Sequence, residues 1–203
     1  MKVYIFIKGE LATNTYFCVD ESTNEAIVID PGMRGDLIYE KAAGKSLNIK
    51  LILLTHAHFD HAMGCKDLIK LSGAKLAVHY SDEELLADSW KNYADIYFGQ
   101  KVDDYPYVKA DILFKDGDEF VLGKNVFKVM HTPGHTMGSC VFICDNMIFS
   151  GDTLFSEGAG RTDLYGGDAA MMEVSLKKLS ELKGEYKILP GHGRSRTVNF
   201  DIT

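Results

Sequence analysis

Leu51-Ile52-Leu53-Leu54-Thr55-His56-Ala57-His58-Phe59-Asp60-His61 is the stretch on which the fold turns. Its first four residues form an unbroken apolar run, the pattern of a strand buried on both faces, with Thr55 as its exit. His56, His58, Asp60 and His61 then bring three imidazoles and a carboxylate into a span of six residues. Such heads converging at a strand end suit a zinc or iron site. A polar loop that happens to be rich in histidine is the competing explanation. In an extended segment residues two apart point the same way, so His56 and His58 can chelate one ion.

Three further metal-type side chains stand in the same local setting. His135 follows the strand-like Val126–Met130 and the turn Thr132-Pro133-Gly134. Asp152 follows Met147-Ile148-Phe149 and Ser150-Gly151, and His192 follows Ile188-Leu189 and Pro190-Gly191. Each has a glycine immediately before it, which permits a sharp turn or a close backbone approach. A sheet that repeats this plan sets its ligands along one edge. Taken singly, each site is also an ordinary Pro-Gly or Ser-Gly turn.

The rest of the chain bounds the answer. With 203 residues and 46% hydrophobic content, one domain with a sizeable core, spanning 1–203, is expected. A net charge of −7 gives no support to nucleic-acid binding through a basic face. The N-terminal Val3–Ile7 run is too short for a membrane helix and reads as a first strand, so no membrane association is expected. Cys18, Cys65, Cys140 and Cys144 form no Cys-x-x-Cys pair, which points to a reduced, cytoplasmic setting. Nothing in the pattern speaks to oligomeric state. Strand-like runs cover roughly 3–7, 15–20, 26–30, 51–54, 75–79, 118–122, 126–130, 140–144, 147–150 and 186–189. Helical patterns cover about 35–44, 62–72, 81–98 and 168–182. In the last, Met172, Leu176 and Leu179 form a stripe and Asp168 is placed to cap. The aromatic positions Trp90, Tyr93, Tyr97 and Phe98, spaced by three and four, read as a core stripe ahead of a substrate-contacting wall.

The pattern His56-x-His58-x-Asp60-His61, then His135, Asp152 and His192, resembles the metallo-β-lactamase superfamily, as do Ile29-Asp30-Pro31-Gly32 and Thr132-Pro133-Gly134-His135-Thr136. Gly151-Asp152-Thr153-Leu154-Phe155 followed by Gly160-Arg161-Thr162-Asp163 is similar to the short bacterial members of its glyoxalase II branch. The resemblance implies an α/β fold, a four-layer αββα sandwich of two mixed sheets with helices on the outer faces. It also implies two metal ions, zinc or else iron or a zinc–iron mixture. His56, His58 and His135 would hold the first, Asp60, His61 and His192 the second, and Asp152 would bridge them. Asp60 would further aim the hydroxide shared by the two ions. Asp30 is a candidate partner for a ligand imidazole, or simply an Asx turn before Pro31. His79 and His131 are left over and read as structural or surface residues, and Ser139, Ser150 and Thr55 need not be nucleophiles.

The expected activity is hydrolysis of a small-molecule thioester such as an S-hydroxyacylglutathione by attack of a metal-bridging hydroxide. A thiolate leaving group needs no separate general acid. Full-length glyoxalase II carries a C-terminal helical extension that this chain is expected to lack, since it ends eleven residues after His192. Arg194 and Arg196 read as solvated charges. Arg161, in a Gly-rich loop nine residues after Asp152, is the candidate substrate-binding cation, with an ion pair to Asp163 as the alternative. Zinc β-lactamases of the superfamily usually have cysteine or serine where this chain has Asp152. Lactonases usually add a tyrosine where it has Leu154 and Phe155. The main rival is a persulfide dioxygenase, which shares the fold and the Gly-Arg-Thr-Asp stretch and uses one iron held by the equivalents of His56, His135 and Asp152. A metal-binding module without turnover is a further alternative.

Overall fold

The computed structural model describes residues 1–32 and 34–201. Strands β1 (Lys2–Lys8), β2 (Thr13–Asp20), β3 (Glu25–Ile29), β4 (Asn48–Leu53), β5 (Lys75–His79) and β6 (Ile112–Phe114) form the first sheet in that spatial order. The pairs β1–β2 and β2–β3 are antiparallel, and β3 to β6 run parallel. The second sheet is ordered β12 (Arg196–Asn199), β11 (Glu185–Pro190), β10 (Met147–Gly151), β9 (Cys140–Cys144), β8 (Asn125–His131) and β7 (Glu119–Leu122). Only its β10–β11 pair is parallel. Both sheets are therefore mixed.

Period-two alternation assigns each strand face to a layer. Tyr16, Cys18, Ile27, Ile29 and Leu53 of the first sheet meet Phe127, Val129, Cys140, Phe142, Phe149 and Leu189 of the second in a core between the sheets. The opposite face of the first sheet, with Val28, Ile52 and Val78, is covered by α1 (Gly35–Ala43) and α3 (Cys65–Ser72) through Ile38, Ala42 and Leu68. On the outer face of the second sheet, Val141, Ile148 and Ile188 pack on α5 (Ala169–Ser180) through Leu179. The result is the expected αββα sandwich. All four cysteines are free and buried, Cys140 and Cys144 on one face of β9. Among the described residues no helix is long and apolar enough to cross a membrane.

The expected helix over 168–182 is α5, capped by the Asp168 carboxylate, which accepts from Met171 N–H at 2.9 Å. The expected helix over 62–72 is broken into α2 (Phe59–Ala62) and α3. The break falls at Gly64, whose backbone runs against residues 31–32: a Cβ there would lie 2.3 Å from the Gly32 carbonyl oxygen. The expected helix over 81–98 is also absent as such. It is a 3-10 helix (Tyr80–Ala87), a set of turns, and α4 (Ala94–Phe98). Here side chains compete with the helical ladder for backbone groups. Asp88 accepts from Trp90 and Lys91 N–H, and Asn92 bonds Leu85 O and Ala94 N–H. Strands β6, three apolar residues long, and β12, four largely polar ones, lie at sheet edges and are too short to be expected from sequence; pairing with β5 and β11 creates them.

Candidate metal centre

The seven metal-type side chains emerge from strand ends of both sheets and meet at one edge of the sandwich. His56 and His58 lie on the loop leaving β4, and Asp60 and His61 on α2. His135 follows β8, Asp152 follows β10 and His192 follows β11. Their donor atoms form three overlapping groups, each within 4.8 Å: His56/His58/His135, His56/His61/Asp152 and Asp60/His61/His192. Asp152 lies between the outer two groups, its Oδ1 3.4 Å from His61 Nε2 and its Oδ2 3.6 Å from both His135 Nε2 and His192 Nε2. That arrangement allows one carboxylate to serve two ions. Gly191 makes it possible, because a Cβ there would fall 2.2 Å from Asp152 Oδ1 and 2.6 Å from His61 Cε1.

Hydrogen bonds on the far side of each ring set which nitrogen carries a lone pair into the centre. Nδ1–H of His135 donates to Arg161 O at 2.7 Å, that of His61 to Asp30 Oδ2 at 3.0 Å, and that of His192 to Leu11 O at 2.9 Å. His56 Nδ1 lies 3.2 Å from Thr55 Oγ1, whose own hydrogen goes to Asp30. All four rings thereby turn Nε2 inward. His58 is reversed, its Nδ1 only 2.9 Å from His135 Nε2. His56 Nε2, His58 Nε2 and Asp152 Oδ1 are buried without a hydrogen-bond partner. Buried polar atoms are rarely left so. Of these three, His56 Nε2 and Asp152 Oδ1 face the centre, whereas His58 Nε2 is on the outer side of its ring; convergent imidazole and carboxylate donors of this kind fit divalent ions of the zinc or iron type.

The electrostatics agree with that fit. Burial, reinforced by neighbouring imidazoles, pushes His56 well down and His58 down to about 3, so both stay neutral and able to ligate. Burial works against the Asp60 and Asp152 carboxylates, yet the surrounding histidines hold both below the usual range. His61 is pushed up despite burial because Asp60, Asp152 and Asp30 surround it. A surround that favours a proton at His61 favours a metal cation in its place.

The centre opens on a cavity of about 390 Å³ walled by Leu11, Phe59, Tyr93, Tyr97, Arg161 and Leu164. The expectation of an aromatic core stripe over 81–98 is corrected here. Trp90 and Phe98 are exposed, while Tyr93 and Tyr97 face the cavity. Tyr93 does so from a left-handed backbone, φ 74°, which sequence periodicity cannot anticipate. Arg161 lines the cavity and is also paired through two 2.7 Å bonds to Asp163, which it holds down at about 2. Its guanidinium carbon lies 5.7 Å from the Tyr93 ring centroid. Asp30 partners the candidate ligand His61, and accepts from Thr55 N–H and Thr55 Oγ1–H as well. Thr13, whose hydroxyl donates to Asp60 Oδ2 at 3.1 Å, had no signal in the sequence. His79 and His131 stack on each other at 4.1 Å, outside the donor groups. Ser139 and Ser150 spend their hydroxyls on Thr136 and on Leu154 O. Arg194 and Arg196 are exposed, the latter in β12.

The sequence profile of the family described as "Metallo-beta-lactamase superfamily" matches residues 9–192. Among curated relatives, a probable metallo-hydrolase, YqgX of Bacillus subtilis, is 33% identical over 94% of this chain and 89% of its own length. A hydroxyacylglutathione hydrolase of Francisella tularensis subsp. novicida is 32% identical over 92% of this chain, which spans 65% of that relative. Among solved structures, the B3 metallo-beta-lactamase BLEG-1 superposes with a TM-score of 0.90 at 30% identity, covering 97% of this chain and 94% of that one. TTHA1623, in a di-iron-bound form, gives 0.82 at 29% identity, with 98% and 96% covered. ETHE1 from Myxococcus xanthus gives 0.77 at 28% identity, with 99% and 80% covered.

Proposed function

The chain belongs to the metallo-β-lactamase superfamily, on its glyoxalase II-like branch, and from that premise we propose that it is a dinuclear metallohydrolase acting on a small-molecule thioester. The observation that carries this reading is the convergence of seven donor side chains beneath one cavity, five of them lining it and two, His56 and Asp152, turning unpartnered buried atoms into the centre. His56, His58 and His135 would hold one ion, Asp60, His61 and His192 the other, and Asp152 both. The relative described as di-iron-bound supports a two-ion site; zinc is the proposed occupant here, with iron or a zinc–iron mixture as the alternative. When bound, such ions polarise a carbonyl and lower the pKa of water towards neutrality.

The chain's own residues do the rest. Asp60 is ionised, tethered by Thr13 and close to His192, so it accepts the hydrogen bond that aims a water at the carbonyl carbon. Leu11, Phe59 and Leu164 form an apolar wall that shields the acyl group from bulk water. Arg161, stacked towards Tyr93, is the cation available to an anionic end of the thiol carrier, which glutathione would satisfy. The thiolate departs without protonation, its conjugate acid having a pKa of about 8.5.

Metal content of chain purified without air and without added metal, followed by turnover of a thioester panel with a β-lactam as control, tests the proposal. The expected result is about two ions per chain and thioester hydrolysis well above β-lactam hydrolysis. One iron per chain, with oxygen uptake on a persulfide, would replace it with the dioxygenase reading.

A further inference from the structure

Two loops carry the deeper donor group. Residues 54–58 bring His56 and His58; residues 132–139 bring His135. Between them lies Asp82, on the 3-10 helix and belonging to neither loop, with no exposure to solvent. Its Oδ2 accepts from Ala57 N–H at 3.0 Å and from Thr136 Oγ1–H at 2.8 Å, and its Oδ1 from Gly138 N–H at 2.6 Å. Ala57 is the residue between the two chelating histidines, and Thr136 follows His135 directly. One carboxylate oxygen thus binds both ligand-bearing loops at once.

Burying a carboxylate against uncharged donors is costly, and burial pushes the Asp82 pKa up. That cost is offset by three hydrogen bonds whose donors, Ala57 N–H, Gly138 N–H and the Thr136 hydroxyl, an apolar side chain of similar volume would leave buried and unpaired. Gly138 keeps room for it, since a Cβ there would come within 2.6 Å of the carboxylate. The other donor group is held by different means: Asp30 on His61, Thr13 on Asp60 and the Leu11 carbonyl on His192.

We infer that Asp82 is the positioning residue of the His56/His58/His135 group, setting the distance between its two loops and hence that group's affinity for a divalent ion. The inference rests on the two-ion reading of the centre. Its test uses Co²⁺ as probe. Metal-free full-length chain is titrated with Co²⁺ in competition with a chelator, visible absorption reports each bound ion, and thermal unfolding of the metal-free chain is measured alongside. His58→Ala identifies the ion of the deeper group as the one it removes. In Asp82→Asn that same ion should bind about 10–100-fold more weakly, with the second ion within about twofold of wild type. Thr136→Val should weaken it less, and Thr136→Ser should restore wild-type binding. Unchanged affinity for both ions, or an equal loss at both, would overturn the role of Asp82, even if the variant is less stable. Binding of a single Co²⁺ by wild type would instead overturn the two-ion reading, whatever Asp82→Asn does.

Discussion

The two halves of the candidate metal centre, three histidines in one and an aspartate with two histidines in the other, are anchored differently. His56, His58 and His135 are all buried, and their loops are joined by a carboxylate reaching backbone N–H groups. In the second group the His192 side chain is 28% exposed while Asp60 and His61 are buried, and each of the three is held individually by a side chain or carbonyl. His56 and His135 are held ring by ring as well, by Thr55 and the Arg161 carbonyl, so what sets the first half apart is the added tie through backbone N–H groups. On the proposed function, the more buried, deep half would hold its ion more rigidly than the shallow half that carries the part-exposed His192.

The largest expected effect breaks the shallow half chemically. Asp60→Ala should lower kcat on a thioester by about 10²- to 10⁴-fold while the ion of the deep half stays bound. Turnover that persists with both ions present would remove Asp60 from its assigned role. Next comes Asp30→Asn, which spans both halves because Asp30 contacts His61 directly and His56 through Thr55. Both ions should weaken by about 10–100-fold, in contrast to the one-sided effect expected at Asp82, and metal titration distinguishes the two patterns. Gly191→Ala inserts a methyl where Asp152 and His61 already sit. It should destabilise the chain by about 1–3 kcal/mol and displace His192, so the shallow ion should be lost first; thermal melts with and without metal check this. The smallest effect is at Arg161. Because it is exposed and already paired to Asp163, Arg161→Ala should raise KM for an anionic thioester by no more than about fivefold and leave a neutral one unchanged. Equal changes for both substrates would take Arg161 out of substrate binding.

Much of this was legible along the chain. Leu51–Leu54 marked a buried strand with metal-binding heads at its exit, and three Gly–ligand steps marked the other sites. Asp168 announced the start of α5. Asp82, Thr13 and Tyr93 were not legible for one shared reason. Each acts on residues 25 or more positions away or, like Tyr93, through a backbone conformation that no periodicity encodes. The helix expected over 62–72 forms only from Cys65 onward, because Gly64 had to pass against residues 31–32, and the one expected over 81–98 did not form as such because Asp88 and Asn92 spent their side chains on backbone groups.

The sequence by itself determined the donor chemistry and the alternating layers, since hydrophobic period and residue type are local properties read without knowing what lies opposite. Only the tertiary structure decided which nitrogen of each histidine faces the centre, what holds each half of it, and that Tyr93 and Tyr97 face the cavity while Trp90 and Phe98 are exposed. Those are contacts between segments far apart in the chain, where hydrogen-bond reach and close packing select one arrangement among the many that the local pattern allows.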